Sequence, residues 1–411
     1  MKRTNRKDTA ILFTTRIVRL FCYGFLSVVL ALYLIQVGLS EKIIGLIFTL
    51  TLAGDAGVSL WLTTSADRIG RRRTLIIGAL LMVGAGAVFI FTRNPFLLAL
   101  AAIIGVISPS GNEIGPFLSV EQAALTILVP DEHRTQIFAW YALAGSLATA
   151  SGALAGGWLA QGLQASGLSL FNAYRVVLAG YALGGIILIG LFQSLSSAVE
   201  VVPGTSTGQK LFLGLHRSRS VVMRLSGLFA VDAFAGALLV QSLLAYWFHV
   251  KYGLETGVLG SIFFGANILA GFSALFAARI AKRFGLIKTM VFTHIPSNIL
   301  LILVPLMPNL PLAIGVLLAR FSISQMDVPT RQSYTMAVVS PDERSAASGV
   351  TTIARSIGAA LSPLLAGLLM AVPALFSFPF FLSGGLKIVY DLMMFRSFQG
   401  LKPPEEKVWR R

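Results

Sequence analysis

The stretch that decides the fold occurs twice in the chain. Residues 38–74 read GLSEKIIGLIFTLTLAGDAGVSLWLTTSADRIGRRRT, and residues 253–289 read GLETGVLGSIFFGANILAGFSALFAARIAKRFGLIKT. At one offset of 215 residues the copies share three glycines, an arginine and a threonine: Gly38 with Gly253, Gly45 with Gly260, Arg68 with Arg283, Gly70 with Gly285, and Thr74 with Thr289. One offset across an apolar run and both its loops indicates an internal repeat of two related halves.

A second pair of segments extends the repeat. Residues 130–132 read PDE, as do residues 341–343, and Ser151 and Gly156 answer Ser362 and Gly367 at an offset of 211 residues. Two parallel six-helix repeats, related by an axis along the membrane normal, are typical of a transporter whose site lies between the halves.

The composition places the chain in a membrane. Of the 411 residues, 55% are hydrophobic and only 12% are charged, and the mean hydropathy is +0.79. A soluble domain has about a quarter of its residues charged. Since a span needs roughly 20 apolar residues, the chain has room for about twelve helices and for no large soluble domain. The predicted fold class is therefore an all-α integral membrane protein of twelve helices in two pseudo-symmetric bundles.

Uninterrupted apolar runs give the predicted spans. They lie near 15–37, 42–64, 74–92, 96–129, 135–163, 172–194, 221–248, 256–280, 286–307, 311–339, 345–371 and 374–395. The polar stretch between the sixth and seventh runs contains Pro203 and predicts a linker. We expect an N-terminal bundle over 1–195, a cytoplasmic linker over 196–220 and a C-terminal bundle over 221–411.

The basic residues predict topology. The net charge is +16, but Lys and Arg fall between the apolar runs and form no single patch, so a nucleic-acid partner is not expected. Most of them lie on one side of the predicted spans, which places both termini in the cytoplasm of a bacterial-type plasma membrane. Cys22 is the single cysteine, so the chain has no intramolecular disulfide and no cysteine cluster for a metal.

The segment Ala66–Arg73, read as ADRIGRRR, resembles the signature of the major facilitator superfamily between the second and third helices. That signature begins with a glycine, for which this chain has Thr63. The resemblance covers essentially the whole chain and implies a cytoplasmic gate built from five residues of the segment: Asp67, Arg68, Gly70, Arg71 and Arg72. An acid and bases at this turn either pair with the start of the eleventh helix when the inward mouth is shut or serve as a topogenic charge cluster.

Residues 152–157, read as GALAGG, are similar to the fifth-helix motif of drug antiporters in the superfamily, with Ala153 in the place of its proline. Gly152, Gly156 and Gly157 carry that similarity. The fourth-helix Arg-x-x-Gln-Gly pattern of proton-coupled members is absent from the sequence, so proton coupling is implied by the family.

Ionisable side chains inside the spans cost at least a few kcal/mol each unless they face a cavity or a partner, so they are candidates for the site. Glu113 lies in PSGNEIGP, residues 109–116, whose prolines and glycines predict a broken helix near mid-membrane. It is either a cavity carboxylate for a proton or substrate, or part of a structural salt bridge. Glu121 either faces the same cavity or pairs with the cluster around Arg71.

In the tenth span, Arg320, Asp327 and Arg331 are spaced as one helical stripe. Asp327 and Arg331 predict an internal ion pair, with a substrate-facing acid as the alternative. Arg355 lies about 16 Å beyond Arg344 along a helix, too deep to reach water. Its partner is expected to be Asp67, Glu121, Asp327 or a substrate anion.

Three further groups complete the candidates. Asp232 is expected to pair with Arg16 or Arg19 or to serve transport, and Asp55 is a further acid inside a span. His249 and His294 fit interfacial or packed positions better than a proton relay.

The sequence therefore predicts a secondary transporter that exports a small organic solute in exchange for protons, by rocking of residues 1–195 against 221–411. Glu113 is the first candidate for the coupling carboxylate and Asp327 the second, because a bare charge at mid-membrane is unstable. An importer or uniporter on the same fold and a non-transporting membrane sensor are the alternatives. An enzyme is not expected, because the sequence shows neither a paired nucleophile and base nor a cluster of metal ligands. The expected partners of the monomer are the solute and the bilayer, with a proton gradient in place of a cofactor.

Overall fold

A computed structural model describes residues 3–113, 115–200, 217–340 and 343–400. Every regular element among them is helical. The α-helices are Arg3–Ser27, Leu30–Gln36, Glu41–Ile69, Arg71–Phe91, Pro95–Ile104, Phe117–Leu128, Asp131–Ala165, Leu170–Gln193, Arg219–Ala237, Gln241–Tyr252, Thr256–Phe284, Leu286–Leu303, Leu310–Phe321, Asp327–Val338, Arg344–Met370 and Phe378–Phe398. Single 3₁₀ turns occupy Ser197–Val199, Val304–Leu306 and Pro373–Leu375.

These helices form the twelve predicted spans. In the described part of the chain, ten segments are long and apolar enough to cross a membrane by length and composition. The fourth and tenth spans complete the set, each as two shorter helices: Pro95–Ile104 with Phe117–Leu128, and Leu310–Phe321 with Asp327–Val338. The predicted all-α membrane fold is confirmed.

Four spans are interrupted, at residues 28–29, 105–116, 238–240 and 322–326, in the first, fourth, seventh and tenth spans. The predicted break of the fourth span is confirmed. Its backbone bends where Gly111 and Gly115 have positive φ of 70° and 81°, which glycine tolerates at little cost.

The prediction of one continuous helix over 311–339 is wrong. Pro329 lies in the first turn of Asp327–Val338, where it cannot donate a hydrogen bond to the preceding turn and where its ring disfavours helical backbone in the residue before it. Ser322 and Ser324 also hydrogen-bond to the carbonyls of Ala319 and Phe321, three residues back. The helix therefore stops at Phe321 and restarts at Asp327.

The described residues form two compact units. The first contains residues 3–200 together with Val240–Phe264, and the second contains residues 217–239 and 265–400. The second half of the seventh span and the start of the eighth thus group with the N-terminal spans, across the boundary expected from the repeat. Residues 201–216 of the predicted linker lie outside the described residues.

Candidate functional site: two buried ion-pair networks

Arg19 is the centre of a network of four charged side chains in the first unit. It is fully buried, and its Nε lies 2.7 Å from Glu113 while its Nη2 lies 2.7 Å from Glu121. Arg16, one turn earlier in the first span, binds the other oxygen of Glu113 at 2.7 Å. Two guanidinium groups therefore neutralise two carboxylates, which is the condition for keeping charges inside a protein.

Glu121 is fully buried and uses both carboxylate oxygens. Besides Arg19, it accepts hydrogen bonds from the hydroxyls of Thr15 (2.8 Å) and Tyr141. The expectation that Glu121 pairs with the cluster around Arg71 is wrong. The reason is the break at 105–116, after which the new helix Phe117–Leu128 turns this carboxylate toward the first span.

Glu113 lies inside that break and retains a side-chain exposure of 13%. The predicted structural salt bridge is present, since both of its oxygens bind arginines. A role in binding a proton or substrate stays a prediction. Aromatic rings support the two arginines, because the Arg16 guanidinium lies 4.3 Å from the Tyr141 ring centre and that of Arg19 lies 4.5 Å from the Phe117 ring centre.

Asp55, in the middle of Glu41–Ile69, has a different environment. Its Oδ1 accepts a hydrogen bond of 2.5 Å from the backbone N–H of Gly115 and one of 3.1 Å from Ser59. Within residues 3–113, 115–200, 217–340 and 343–400 it forms no ion pair. This aspartate connects the second span to the fourth-span break, two residues from Glu113.

Asp232 is the centre of the network in the second unit. Its Oδ1 lies 2.6 Å from Lys387 Nζ, and its Oδ2 lies 3.0 Å from Arg331 Nη1 and 3.2 Å from Arg355 Nη1. Arg331 also binds Asp327 at 2.9 Å, which confirms the predicted ion pair four residues apart on one helix. The seventh, tenth, eleventh and twelfth spans thus each contribute a charge.

These partners overturn two expectations. Asp232 binds Lys387 and two arginines of its own unit, so its expected pairing with Arg16 or Arg19 is wrong. The acid bound by Arg355 is Asp232, so the expected protein partners of Arg355, namely Asp67, Glu121 and Asp327, are also wrong. A substrate anion as an additional partner stays a prediction.

Arg320 does not share a helical stripe with Asp327, because the break at 322–326 places them on separate helices. Its guanidinium carbon lies 4.8 Å from the ring centre of Phe321, and its buried Nε has no hydrogen-bond partner among the described residues. The basic side chains bound to Asp232 are Lys387, Arg331 and Arg355, so Arg320 is not one of its ion-pair partners.

The sequence reasoning missed two members of the second unit. Lys387 and Asp391 lie four residues apart in the twelfth span, which places them on one face of Phe378–Phe398. Asp391 is fully buried and binds His294 Nδ1 at 2.9 Å and Asn298 Nδ2 at 3.1 Å. Charged residues one turn apart inside an apolar run were the available signal.

Hydrogen bonds join three of the broken spans inside the first unit. Gln241 is the first residue of the second helix of the seventh span, and its side-chain amide donates to the hydroxyl of Ser27 in the first span (2.7 Å). The hydroxyl of the next residue, Ser242, lies within hydrogen-bond distance of the carbonyls of Ser27 (2.6 Å) and Pro109 (2.7 Å), and the Pro109 carbonyl also accepts from the backbone N–H of Ser242 (3.0 Å). Further along, Tyr246 donates to Glu41 at 2.7 Å. The breaks of the first, fourth and seventh spans therefore satisfy each other's backbone groups.

Known proteins share the sequence pattern and the fold described above. The family model of the Major Facilitator Superfamily matches residues 12–363. The chain belongs to the Major Facilitator Superfamily. Membership, together with the transporters described next, indicates a multi-pass membrane transporter rather than an enzyme.

Relatives cover nearly the full length of this superfamily member. A Saccharomyces cerevisiae protein, uncharacterized membrane protein YJR124C, is 31% identical over 435 residues, covering 98% of this chain and 97% of the yeast protein. The structure of a D-xylose-proton symporter superposes with a TM-score of 0.74 at 15% identity, over 97% of this chain and 98% of that one. A bacterial homologue of the human lysosomal transporter Spinster gives 0.73 at 17%, with the same coverage. At these identities the likeness of the structures shows the fold alone.

The superfamily signature lies at the turn between the second and third spans. Gly70 adopts a φ of 99°, which makes the turn, and the side chain of Asp67 lies outside the described part of the structure. The backbone N–H groups of Arg71 and Arg72 donate to the carboxylate of Glu200, at 2.7 and 3.1 Å. Arg68 is exposed, and the cytoplasmic latch remains a prediction.

The fifth-helix glycines of this superfamily member are packing positions. A Cβ at Gly152 or Gly156 would lie 2.0 or 2.1 Å from the carbonyl oxygens of Phe21 and Phe25 in the first span. A Cβ at Gly157 would lie 2.3 Å from the carbonyl oxygen of Thr256. Glycine is therefore required at these three positions, where the fifth span closely approaches the two helices.

Proposed function

We propose that this member of the superfamily is a proton-coupled exporter of a small organic solute, working by alternating access in a plasma membrane with both termini cytoplasmic. The observation that carries the proposal is the pair of buried ion-pair networks around Arg19 and Asp232, one in each unit. Both are built on broken spans. Buried charges and interrupted helices are expensive in lipid and occur where a solute path or a binding cavity repays them.

The attachment of Val240–Phe264 to the first unit supports alternating access. It consists of hydrogen bonds from Gln241, Ser242 and Tyr246, together with a bond from Trp158 Nε1 to Ser261 at 3.0 Å. Each such bond contributes about 1 kcal/mol net, so a solute or proton that binds one state better can shift the equilibrium. We assign these contacts to a gate that forms in one state and opens in the other.

Asp55 is the strongest candidate for the proton-binding group on the present geometry. Glu113 and Asp327 are both held by arginines, so protonating either would leave a guanidinium group without its full counter-charge. Asp55 has no basic partner among the described residues. Protonation would weaken its hydrogen bond to Gly115 and so loosen the break that carries Glu113. The proton would thus alter the position of the arginine-bound carboxylate.

The test uses purified protein in liposomes with a pH-sensitive dye inside. Movement of a compound selected by thermal-shift screening should be accompanied by proton movement in the opposite direction, which the dye reports. Asp55→Asn should abolish transport driven by a pH gradient but preserve counterflow, which needs no net proton movement. Asp55→Glu, which keeps an acid, serves as the matched control and should retain coupling.

The same assay separates the alternatives. If Glu113→Gln leaves transport and its gradient dependence unchanged, Glu113 has no coupling role. Wild-type counterflow that ignores an imposed proton gradient would favour an importer or uniporter. Ligand binding without any flux would favour a non-transporting sensor.

A further inference from the structure

The Asp232 network contains more cations than the acids that bind them. Lys387, Arg331 and Arg355 all contact one carboxylate, and Asp327 supplies a second acid to Arg331. Three positive charges therefore face two negative charges. An uncompensated charge in a low-dielectric interior is costly, so this arrangement favours an additional anion.

The adjacent acid does not remove this imbalance at Arg355. Asp391 is occupied by His294 and Asn298, and among the described residues it forms no ion pair with Arg355. With a protonated imidazole that pair is neutral and the network carries an excess of one positive charge. With a neutral imidazole the total is balanced, yet Arg355 still shares its acid with two other cations.

Arg355 is the most loosely held of the three cations. Its contact to Asp232 is the longest, at 3.2 Å, and uses one nitrogen of the guanidinium group. Its side chain is 34% exposed, against 8% for Arg331 and 10% for Lys387. A guanidinium group offers five N–H donors in a planar fork that matches a carboxylate or phosphate, so most of this capacity is available for a ligand.

The helix that carries Arg355 exposes two opposite faces. Ile353, Ile357 and Leu361 form an apolar stripe with exposures of 42%, 58% and 61%. At about 100° per residue, Arg355 lies roughly opposite this stripe, on the side of exposed Ser348 and Thr352. An apolar stripe suits lipid and a polar one suits water or a solute, so the position of Arg355 is accessible to a polar ligand.

We propose that Arg355, supported by Asp232, Arg331 and Lys387, binds an anionic group of the transported solute. The ligand class is a small organic anion with a carboxylate or a phosphate monoester. The inference rests on the proposed transport function and names the substrate class. In the absence of the solute, Asp232 binds the guanidinium group of Arg355. When the solute binds, its anionic group replaces Asp232 as the partner of Arg355.

The test compares four probes of similar shape and different charge: benzoate, phenyl phosphate, benzamide and benzamidine. Each is added to the purified full-length protein, and the shift in unfolding temperature is measured over a concentration series. Benzoate or phenyl phosphate should stabilise the protein more than neutral benzamide, and cationic benzamidine should give no shift. The preferred anion identifies whether the carboxylate or the phosphate is recognised.

Variants assign the effect to Arg355. Arg355→Gln should weaken the apparent affinity for the anion by about tenfold or more, as expected for loss of a charged hydrogen-bond partner. Arg355→Lys should keep part of the affinity. Arg224→Gln is the matched control, because it removes an exposed arginine from the helix that carries Asp232 and should leave the anion affinity unchanged. If Arg355 has only a structural role, Arg355→Gln should lower the unfolding temperature with or without the probe and leave the affinity for the anion unchanged.

A larger shift with benzamidine, no shift with any probe, or an unchanged anion affinity in Arg355→Gln would each overturn the proposal. The wild-type charge series decides the first two outcomes even if the variant does not fold. Failure here is distinguishable from failure of the transport proposal. Flux of a cationic solute without anion binding would remove only the anion site, whereas anion binding without any flux would remove only the transport function.

Discussion

Gly156 allows a sharp test of the packing that positions the Arg19 network. In the fifth span, a Cβ at this residue would lie 2.1 Å from the carbonyl oxygen of Phe25, and one at Gly152 would lie 2.0 Å from that of Phe21. Ordinary contacts of this kind need more than 3 Å, so the first and fifth spans would have to separate by roughly 1 Å. Gly162, on the same helix, provides the matched control, because a Cβ added there would meet no heavy atom within 4 Å apart from its chain neighbours and the backbone of its own helix.

We expect Gly156→Ala to destabilise the protein and Gly162→Ala to be nearly neutral. Overpacking of this kind costs about 1–3 kcal/mol, whereas alanine in an unstrained helical site gains up to about 1 kcal/mol over glycine. Thermal unfolding of the purified variants in detergent measures the difference. Gly152→Ala should behave as Gly156→Ala does, because both meet a backbone carbonyl, which cannot rotate away as a side chain can.

The same displacement should reduce transport. Arg19 lies six residues before Phe25 on the first span and holds Glu113 and Glu121 at 2.7 Å. A shift of roughly 1 Å in that span lengthens charge-assisted hydrogen bonds beyond their usual range. An unfolding temperature for Gly156→Ala equal to or above that of Gly162→Ala would refute this account of the packing.

Three further predictions concern the ion pairs and the gate. Glu121→Gln should lower stability by about 3 kcal/mol in thermal unfolding, because it leaves a fully buried guanidinium group with less counter-charge; an unchanged unfolding temperature would contradict it. Tyr246→Phe removes a hydrogen bond to a carboxylate, so hydrogen exchange in Gln241–Tyr252 should increase, and equal exchange would exclude a gate contact. Asp232→Asn should destabilise more than Lys387→Met, since it strands three cations instead of removing one; the reverse order would contradict the assigned network.

Hydropathy predicted the spans well because their lengths are set by the bilayer. The second span was expected over 42–64 and is Glu41–Ile69, with the extra residues on the polar side that hydropathy does not count. The break of the fourth span was also readable, since Pro109, Gly111, Gly115 and Pro116 all disfavour a continuous helix.

The other breaks show where sequence reasoning ends. Pro329 was a readable signal in the tenth span, as were the polar residues around it, but the span was assigned as one helix over 311–339. The first span breaks at Val28 and Val29, and the seventh at residues 238–240, which read LLV. None of these residues is a proline or a glycine. Tertiary hydrogen bonds from Gln241 and Ser242 to Ser27 connect the two breaks, and such contacts cannot be read from the local sequence.

The partners of charged side chains that lie beyond a break could not be predicted either. A break reorients the helix that follows it, so the direction of Glu121 depends on residues 105–116 and that of Asp327 on residues 322–326. Asp327 and Arg331 could be paired correctly because they share one unbroken helix. Glu121, Asp232 and Arg355 needed the tertiary structure, and each was assigned a wrong partner.

The position of the breaks explains why polar chemistry collects where it does. Every third span is interrupted, as expected if each six-span half itself contains two related three-span units. An interruption frees backbone groups that lipid cannot satisfy. In the first unit the carbonyls of Ser27 and Pro109 are satisfied by the hydroxyl and the backbone N–H of Ser242, which lies beside the break of the seventh span. A polar interior is thus a direct consequence of breaking helices in lipid. Burying a charged group such as Glu113 beside these polar groups costs less free energy than burying it in a bundle of unbroken apolar helices.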